Sequence, residues 1–253
     1  MTWRILTGAA SRSFMEQVLL GVLLALTIVV TVGATAWKRD LRVVNIRTEG
    51  NRIVGSAELI QLSGIEKNTR LYDVDLAAIR MRLSENKFIN DASVFRNPPD
   101  GITIAVAERT PIAGLLTDRL QYVDAEGMVL PSATSEQLFD LPVVTGRLPA
   151  RDCLPGKTLV SDDVREALEI LEVAKAISDD AYGRISEVSI RDDHDIVLTT
   201  AESGVPVLFG RGDVVTKMVK FEGFWNNVVS RRGAGDLLSI DLRFDDQVVV
   251  RWK

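Results

Sequence analysis

A segment of 21 residues without a single charge, Gln17 to Trp37, limits what this chain can fold into more than any other feature. As an α-helix with a rise of about 1.5 Å per residue, it would be about 31 Å long, which is close to the thickness of the hydrocarbon core of a membrane. Trp37 ends the segment, at the position where interfacial aromatic side chains are common. We therefore predict one transmembrane helix over residues 17–37, after a short head over residues 1–16, rather than a buried core helix.

Two properties of this segment leave alternatives open. The sequence Ala34-Thr35-Ala36 resembles a signal-peptidase site, so a cleaved signal peptide is an alternative to an anchor, although the apolar run is longer than a usual signal core. Basic residues flank the helix on both sides, and a count of them alone would place the large C-terminal part inside the cell. The head carries Arg4 and Arg12, and the far side carries Lys38, Arg39, Arg42 and Arg47.

Composition excludes some classes of function. The net charge is −5, and no basic stripe with interleaved aromatic residues occurs, which argues against nucleic acid as a partner. Cys153 is the only cysteine, so no intrachain disulfide can form. The length of 253 residues leaves room for one large domain or two modest domains after the helix.

Residues 43–109 show the pattern of a small α+β unit. Residues 43–48 alternate like a strand, Ser56 is a candidate N-cap of a short helix, and Gly64 is its predicted stop. Asp75 is the predicted cap of a second helix. Two strands follow, joined by a turn of the sequence PPDG. The predicted order is strand, helix, helix, strand, strand.

From Pro111 onward the pattern changes to a mostly antiparallel sheet with helices on one face. The fold class is therefore α+β. Ser161 is a candidate cap of one helix, and a second helix runs from Asp213 to about Val229. The predicted strands are residues 120–124, 128–130, 141–146, 184–191, 196–200, 205–209, 237–243 and 247–252.

Several short motifs, in this order, resemble one protein family. They are EGN (Glu49–Asn51), VAERTPIA (Val106–Ala113), YVDAEG (Tyr122–Gly127), LPVVTG (Leu141–Gly146) and IDLRF (Ile240–Phe244), and they follow the apolar segment. Together they resemble the FtsQ family of bacterial cell-division proteins, also called DivIB. The resemblance implies a POTRA domain over residues 38–110 and a β-domain over residues 111–253, both outside the cytoplasmic (inner) membrane.

The resemblance also implies a function. Members of the family are not enzymes and need no cofactor. They act as scaffolds of the divisome at the division septum, bind the small bitopic proteins FtsB and FtsL, and link ring assembly to septal peptidoglycan synthesis by FtsW and FtsI. The head of about sixteen residues is shorter than the basic tails common in the family. An envelope chaperone or translocation module that uses its POTRA domain is the alternative function, although such proteins usually carry several POTRA domains or a long barrel.

The resemblance places the partner site at the C-terminal strand and the helix before it. A partner would add a strand beside the terminal one, so that backbone groups supply affinity and side-chain pockets supply specificity. The alternative is a strand that only packs on the helix. In that helix Val214, Met218, Phe221, Trp225 and Val228 form the predicted core stripe, and Phe224 is expected to be exposed near the partner. The other predicted partner-binding residues are Arg243, Phe244, Asp245, Asp246, Gln247, Val248, Val249 and Val250.

Other polar clusters have simpler interpretations. DDHD (residues 192–195) is predicted to be a solvated hairpin turn rather than a metal site, because metal ligands must converge at fixed geometry. In GRGD (residues 210–213) the glycines favour a tight turn and Asp213 is a candidate helix cap. Glu108 and Arg109 could form an ion pair at the domain junction. His194 has no elbow-like serine motif to serve, which argues against a Ser-His-Asp triad.

Overall fold

The computed structural model describes residues 8–131, 139–148 and 151–253, and these form two compact units. The first unit contains the residues up to Glu85 together with Asp91–Ala107, and the second contains Asn86–Asn90 and Glu108–Lys253. Residues 1–7 of the predicted head, including Arg4, lie outside the described residues.

The apolar segment is helical, as predicted. Helix α1 runs from Gly8 to Asp40, and its part from Met15 to Lys38 is long and apolar enough to cross a membrane. No residue of that part is buried against the rest of the protein. A fully exposed apolar helix would be unfavourable in water, so this surface fits contact with lipid.

The first unit has the predicted order of elements. It consists of β1 (Asn45–Glu49), α2 (Ser56–Ser63), α3 (Leu76–Ser84), β2 (Ile89–Asn97) and β3 (Gly101–Glu108). The strands form a sheet in the order β1-β3-β2, in which β1 and β3 are parallel. Helix residues Leu59, Ile79 and Leu83 are buried together with Ile102 and Ile104 of the central strand.

The helix ends of this unit confirm two of the three predicted signals. The carboxylate of Asp75 accepts hydrogen bonds from the backbone N–H groups of Ala77 and Ala78, both at 3.0 Å. Gly64 ends α2 in the left-handed conformation. The third prediction was wrong: Gly55 is the N-cap of α2, and Ser56 is its first helical residue. The Ser56 hydroxyl instead accepts a hydrogen bond from Thr48 at 2.8 Å, so it joins α2 to β1.

Gly50 of the EGN motif cannot be replaced without strain. Its φ is 82°, and a Cβ added there would overlap the carbonyl oxygen of Val106 on β3. We expect Gly50→Ala to lower the free energy of unfolding by about 1–3 kcal/mol. Chemical denaturation followed by circular dichroism measures this change. Gly55→Ala is the matched control, because Gly55 has a φ of −63° and nothing within 4 Å of an added Cβ. An equal effect at both positions would contradict the explanation.

The second unit is built on a sheet that has nine strands within the described ranges. Their order is β12-β11-β10-β9-β8-β7-β4-β5-β6. The strands are β4 (Pro111–Leu116), β5 (Leu120–Asp124), β6 (Val129–Leu130), β7 (Val143–Gly146), β8 (Ile185–Ile190), β9 (Ile196–Thr200), β10 (Pro206–Gly210), β11 (Leu237–Asp241) and β12 (Val249–Trp252). Most neighbouring pairs are antiparallel, as predicted, and β4–β7, β7–β8 and β10–β11 are parallel. Strand β4 was not predicted.

Helices complete the core of this unit. They are α4 (Asp162–Ile177), α5 (Asp179–Gly183), α6 (Val214–Phe224) and α7 (Ser230–Arg232). Buried residues of α4 and α6 join those of the strands in one hydrophobic cluster. The predicted core stripe of α6 is correct except at its end, where Val228 is exposed and Val229 is buried. The reason is a π-helical turn over Trp225–Val229, which inserts one residue and shifts the face that follows.

Two predicted helix caps are also corrected. Ser161 and Asp213 occupy the N-cap positions of α4 and α6, but neither side chain makes a capping hydrogen bond. Asp213 has a φ of 50°, and the loop before α6 is held differently. There the backbone N–H of Gly212 donates to Glu166 of α4 at 2.6 Å. The acidic partner of this helix start is therefore supplied by another helix.

Candidate protein-binding site

The C-terminal strand β12 lies at the edge of the nine-stranded sheet. It pairs only with β11 among the described strands, antiparallel, with Ile240 opposite Val250 and Asp241 opposite Val249. An edge strand directs the N–H and C=O groups of alternate residues away from its sheet. The second side of β12 can therefore accept a further strand.

The two faces of β12 differ in their surroundings. Val250 and Trp252 pack against the hydrophobic core, and the Arg232 guanidinium lies 3.9 Å from the centroid of the Trp252 ring. Val249, by contrast, is 40% exposed, and Arg251 is also exposed. The strand thus packs on the core with alternate residues, and it also leaves an edge and one face accessible. The packing expected of the terminal strand is thus found for Val250 and Trp252, and partner binding at the exposed edge stays a prediction.

Most of the predicted site residues lie before the strand rather than on it. Strand β11 ends at Asp241 and β12 begins at Val249, so Arg243–Val248 belong to the loop between them. The predicted strands, residues 237–243 and 247–252, each extended two residues further into this loop than β11 and β12 do. The acidic pair Asp245-Asp246 is unfavourable in a strand, and the Lys220 ammonium holds the loop by donating to the carbonyls of Phe244, at 3.3 Å, and Asp245.

Arg243 shapes this loop through an intramolecular ion pair. Its guanidinium donates to both carboxylate oxygens of Asp241, at 3.0 and 2.7 Å, and its backbone N–H donates to the same carboxylate. These hydrogen bonds from Arg243 hold the pKa of Asp241 below its usual value. Asp195, in the turn between β8 and β9, lies 3.7 Å away. The guanidinium is thus already paired within the chain, where it holds the start of the loop.

Phe244 and Phe224 differ from each other in accessibility. Phe244 is 46% exposed at the surface of the loop. Phe224 was expected to be exposed as well, but this prediction was wrong, because it is half-buried and packs against the core. It follows Phe221 by three residues, and side chains at this spacing are neighbours on a helix surface. The predicted core stripe of α6 is therefore wider than expected.

Helix α6 also carries an exposed apolar face that was not predicted from the sequence. Val215 and Val219 are exposed on this helix, and Val219 directly precedes Lys220, which holds the loop. Their spacing of four residues outside the buried stripe was the available signal. We call β12, the loop 242–248 and the exposed face of α6 the terminal surface. It combines a free strand edge with exposed apolar side chains.

The remaining polar clusters have roles within the chain. His194 lies in the β8–β9 turn, where its Nδ1–H donates to Asp163 at 2.7 Å and its Nε2 accepts from Arg147 at 3.1 Å. These roles follow because arginine can only donate. Arg211 of the RGD triplet pairs with Asp163 at 3.1 Å and Glu166 at 2.9 Å. Among the described residues no cluster of histidine, cysteine and carboxylates could hold a metal ion.

The sequence suggested an ion pair between Arg109 and its neighbour Glu108. In the structure Arg109 pairs with two carboxylates further along the chain. Its guanidinium donates to Asp124 at 2.6 Å and to Glu126 at 3.4 Å. The pairing of β4 with β5 places Asp124 opposite Pro111, close to Arg109. Asp124 also accepts from the backbone N–H of Met128 at 2.8 Å, so its side chain closes the turn between β5 and β6.

Comparisons with known proteins identify the family. Residues 41–109 match the model of the POTRA domain, FtsQ-type, and residues 110–250 match that of the C-terminal related region of FtsQ/DivIB. The cell division protein FtsQ of Syntrophotalea carbinolica is 30% identical over 98% of this chain and 87% of its own length. FtsQ of Rhodothermus marinus is 34% identical over 86% of this chain and 80% of its own length. The chain therefore belongs to the FtsQ/DivIB family of cell division proteins.

Proposed function

We propose that this protein is a non-enzymatic scaffold of the divisome that binds FtsB- and FtsL-like bitopic proteins and thereby links ring assembly to septal synthases of the FtsW and FtsI type. Membership of the family supports a role in cell division with protein partners. The observation that carries the finer proposal is the free edge of β12 at the end of the sheet.

The mode of binding follows from this edge. A segment of the partner adds as a strand beside β12, and its backbone pairs with the outward N–H and C=O groups. Val249 on the exposed face of the strand and Phe244 on the preceding loop supply apolar contacts. Lys220 and Arg243 hold that loop before the partner arrives, which lowers the conformational entropy lost on binding.

The proposed arrangement in the cell uses one membrane helix. Residues 1–16 lie in the cytoplasm, residues 17–37 cross the inner membrane, and the POTRA domain (38–110) and β-domain (111–253) lie outside it. The apolar helix and the family support a single-pass protein at the division site. Concentration at the septum follows if the partners are confined there.

Two measurements test this function. The full-length protein in lipid nanodiscs should bind the extracytoplasmic segments of the host's FtsB- and FtsL-like proteins saturably, as measured by biolayer interferometry with empty nanodiscs as the control. A fluorescent fusion should concentrate at midcell in dividing cells. Uniform distribution along the envelope together with absent binding would overturn the proposal and favour the envelope chaperone alternative.

A further inference from the structure

Within the first unit, the end of the membrane helix and residues 70–73 form an open cleft. The cleft has a volume of about 550 Å³ and is lined by Thr35, Lys38, Arg70, Tyr72 and Asp73. Thr35 and Lys38 belong to the last turns of the apolar span. Arg70 belongs to the segment 68–71, which pairs with residues 41–43, and Tyr72 and Asp73 directly follow that segment. We call this feature the juxtamembrane cleft.

The length of the span places the cleft in the headgroup layer. The 24 residues from Met15 to Lys38 would measure about 36 Å as a helix, whereas the hydrocarbon core is about 30 Å thick. The last turns of the helix therefore extend beyond the hydrocarbon. Trp37 is exposed beside them, and Trp and Tyr side chains are enriched at this depth.

Two arginines face each other beside the cleft. Arg42 and Arg70 are directly opposite in an isolated antiparallel bridge, and like charges in this position repel. Arg42 donates to the carbonyl of Asn68 at 2.9 Å. Arg70 lies 3.9 Å from Asp73, which is beyond hydrogen-bond distance. An anion between the two guanidinium groups would relieve the repulsion and accept their remaining hydrogen bonds.

The loop that forms the wall of the cleft is held in place from β2. Arg96 donates to the backbone carbonyls of Leu71 and Val74, at 2.9 and 2.5 Å. Two cations lie near the Tyr72 ring, with the Lys38 ammonium 5.6 Å and the Arg96 guanidinium 5.7 Å from its centroid. Both distances are within the range of cation–π attraction. The wall of the cleft and Lys38 are therefore positioned without a ligand.

We propose that the juxtamembrane cleft binds the phosphate headgroup of an anionic membrane lipid. Lys38, Arg42 and Arg70 supply the positive charge, and the site faces the leaflet from which the chain emerges. Basic residues at a membrane surface attract anionic lipids, and each contributes about five-fold in affinity. Bound lipid would fix the first unit relative to the membrane surface. This inference does not depend on the identity of the division partners.

The test compares lipids retained by the full-length protein. The protein is purified from nanodiscs that contain equal amounts of phosphatidylglycerol and phosphatidylcholine, and the bound lipids are counted by native mass spectrometry. We expect preferential retention of phosphatidylglycerol. The double variant Arg42→Gln, Arg70→Gln should lose about thirty-fold in this preference. The control is Arg47→Gln, Arg80→Gln, which removes two exposed arginines from the same unit and should retain the preference.

Three results would overturn the proposal. They are equal retention of both lipids by the wild type, the same loss in both double variants, and displacement of phosphatidylglycerol by millimolar glycerol 3-phosphate. The second would indicate a general effect of net charge, and the third a site for soluble phosphate. Circular dichroism shows whether both double variants are folded, so that a loss of bound lipid is not caused by unfolding.

Discussion

Val249→Lys is expected to weaken binding of the full-length protein to its FtsB-like partner by about thirty-fold or more, the effect typical of a central interface residue. The valine lies on the exposed face of β12, at the sheet edge where we propose that the partner strand adds. A lysine there places a hydrated charge beside the incoming strand, as natural proteins do to protect exposed edges. Biolayer interferometry with nanodisc-embedded protein measures the change.

Val160→Lys is the matched control for this substitution. Val160 is 80% exposed in the same unit and lies outside the terminal surface. Val160→Lys therefore makes the same chemical change at a site that the partner is not expected to contact. Its affinity for the partner should equal that of the wild type. Equal loss in both variants would indicate a general charge effect, and unchanged binding by Val249→Lys would exclude strand addition at β12.

Substitutions at Phe244 and Val219 distinguish which part of the terminal surface binds the partner. Phe244→Ala removes the exposed ring of the loop and should cost about ten-fold in affinity if the loop contacts the partner. Val219→Lys tests the exposed face of α6 in the same assay. Loss of binding in these variants with Val249→Lys unaffected would move the interface from the edge of the sheet to the helix and loop.

Local patterns were sufficient to predict most elements, and β4 shows where they fail. The run PIAGLL starts with proline, contains glycine and is buried at all but its last residue, so it lacks the alternation of a half-buried strand. Strand β4 lies between β5, with which it pairs antiparallel, and β7, with which it pairs parallel. The π-helical turn after α6 could not be predicted from the sequence either. The apolar residues continue through it at nearly helical spacing, and only the structure shows that one residue is inserted.

The candidate site was predicted in position but not in construction. The last strand and its alternation are local, whereas the contacts that hold the loop before it join residues far apart in sequence, as Lys220 and Phe244 do. Some residues of the family motifs are likewise required by contacts with residues far away in the sequence. Gly146, which ends LPVVTG, has a φ of 87° and lies against the Ile190 carbonyl of the neighbouring strand β8. A sequence shows the glycine but not the strand that requires it.

Asp124→Ala is expected to lower the free energy of unfolding of the second unit by about 3–5 kcal/mol, the range for breaking a buried ion pair on one side. The carboxylate is 3% exposed and the Arg109 guanidinium 18% exposed, with 2.6 Å between them. Alanine would leave this guanidinium and the Met128 N–H without the carboxylate that now accepts from both. Urea unfolding in detergent measures the change through the fluorescence of Trp225 and Trp252, which lie in this unit.

The matched control for Asp124 is the second carboxylate near Arg109. Glu126 is exposed and 3.4 Å from the guanidinium, and exposed pairs contribute about 0–1 kcal/mol, so Glu126→Ala should change stability little. A double-mutant cycle with Arg109→Leu then isolates the coupling between Arg109 and Asp124. Because the double variant leaves no buried charge unpaired, it should be more stable than Asp124→Ala alone. If the double variant were instead less stable by the sum of the single effects, the two side chains would be uncoupled, and the cost of Asp124→Ala would come from the lost turn at Met128.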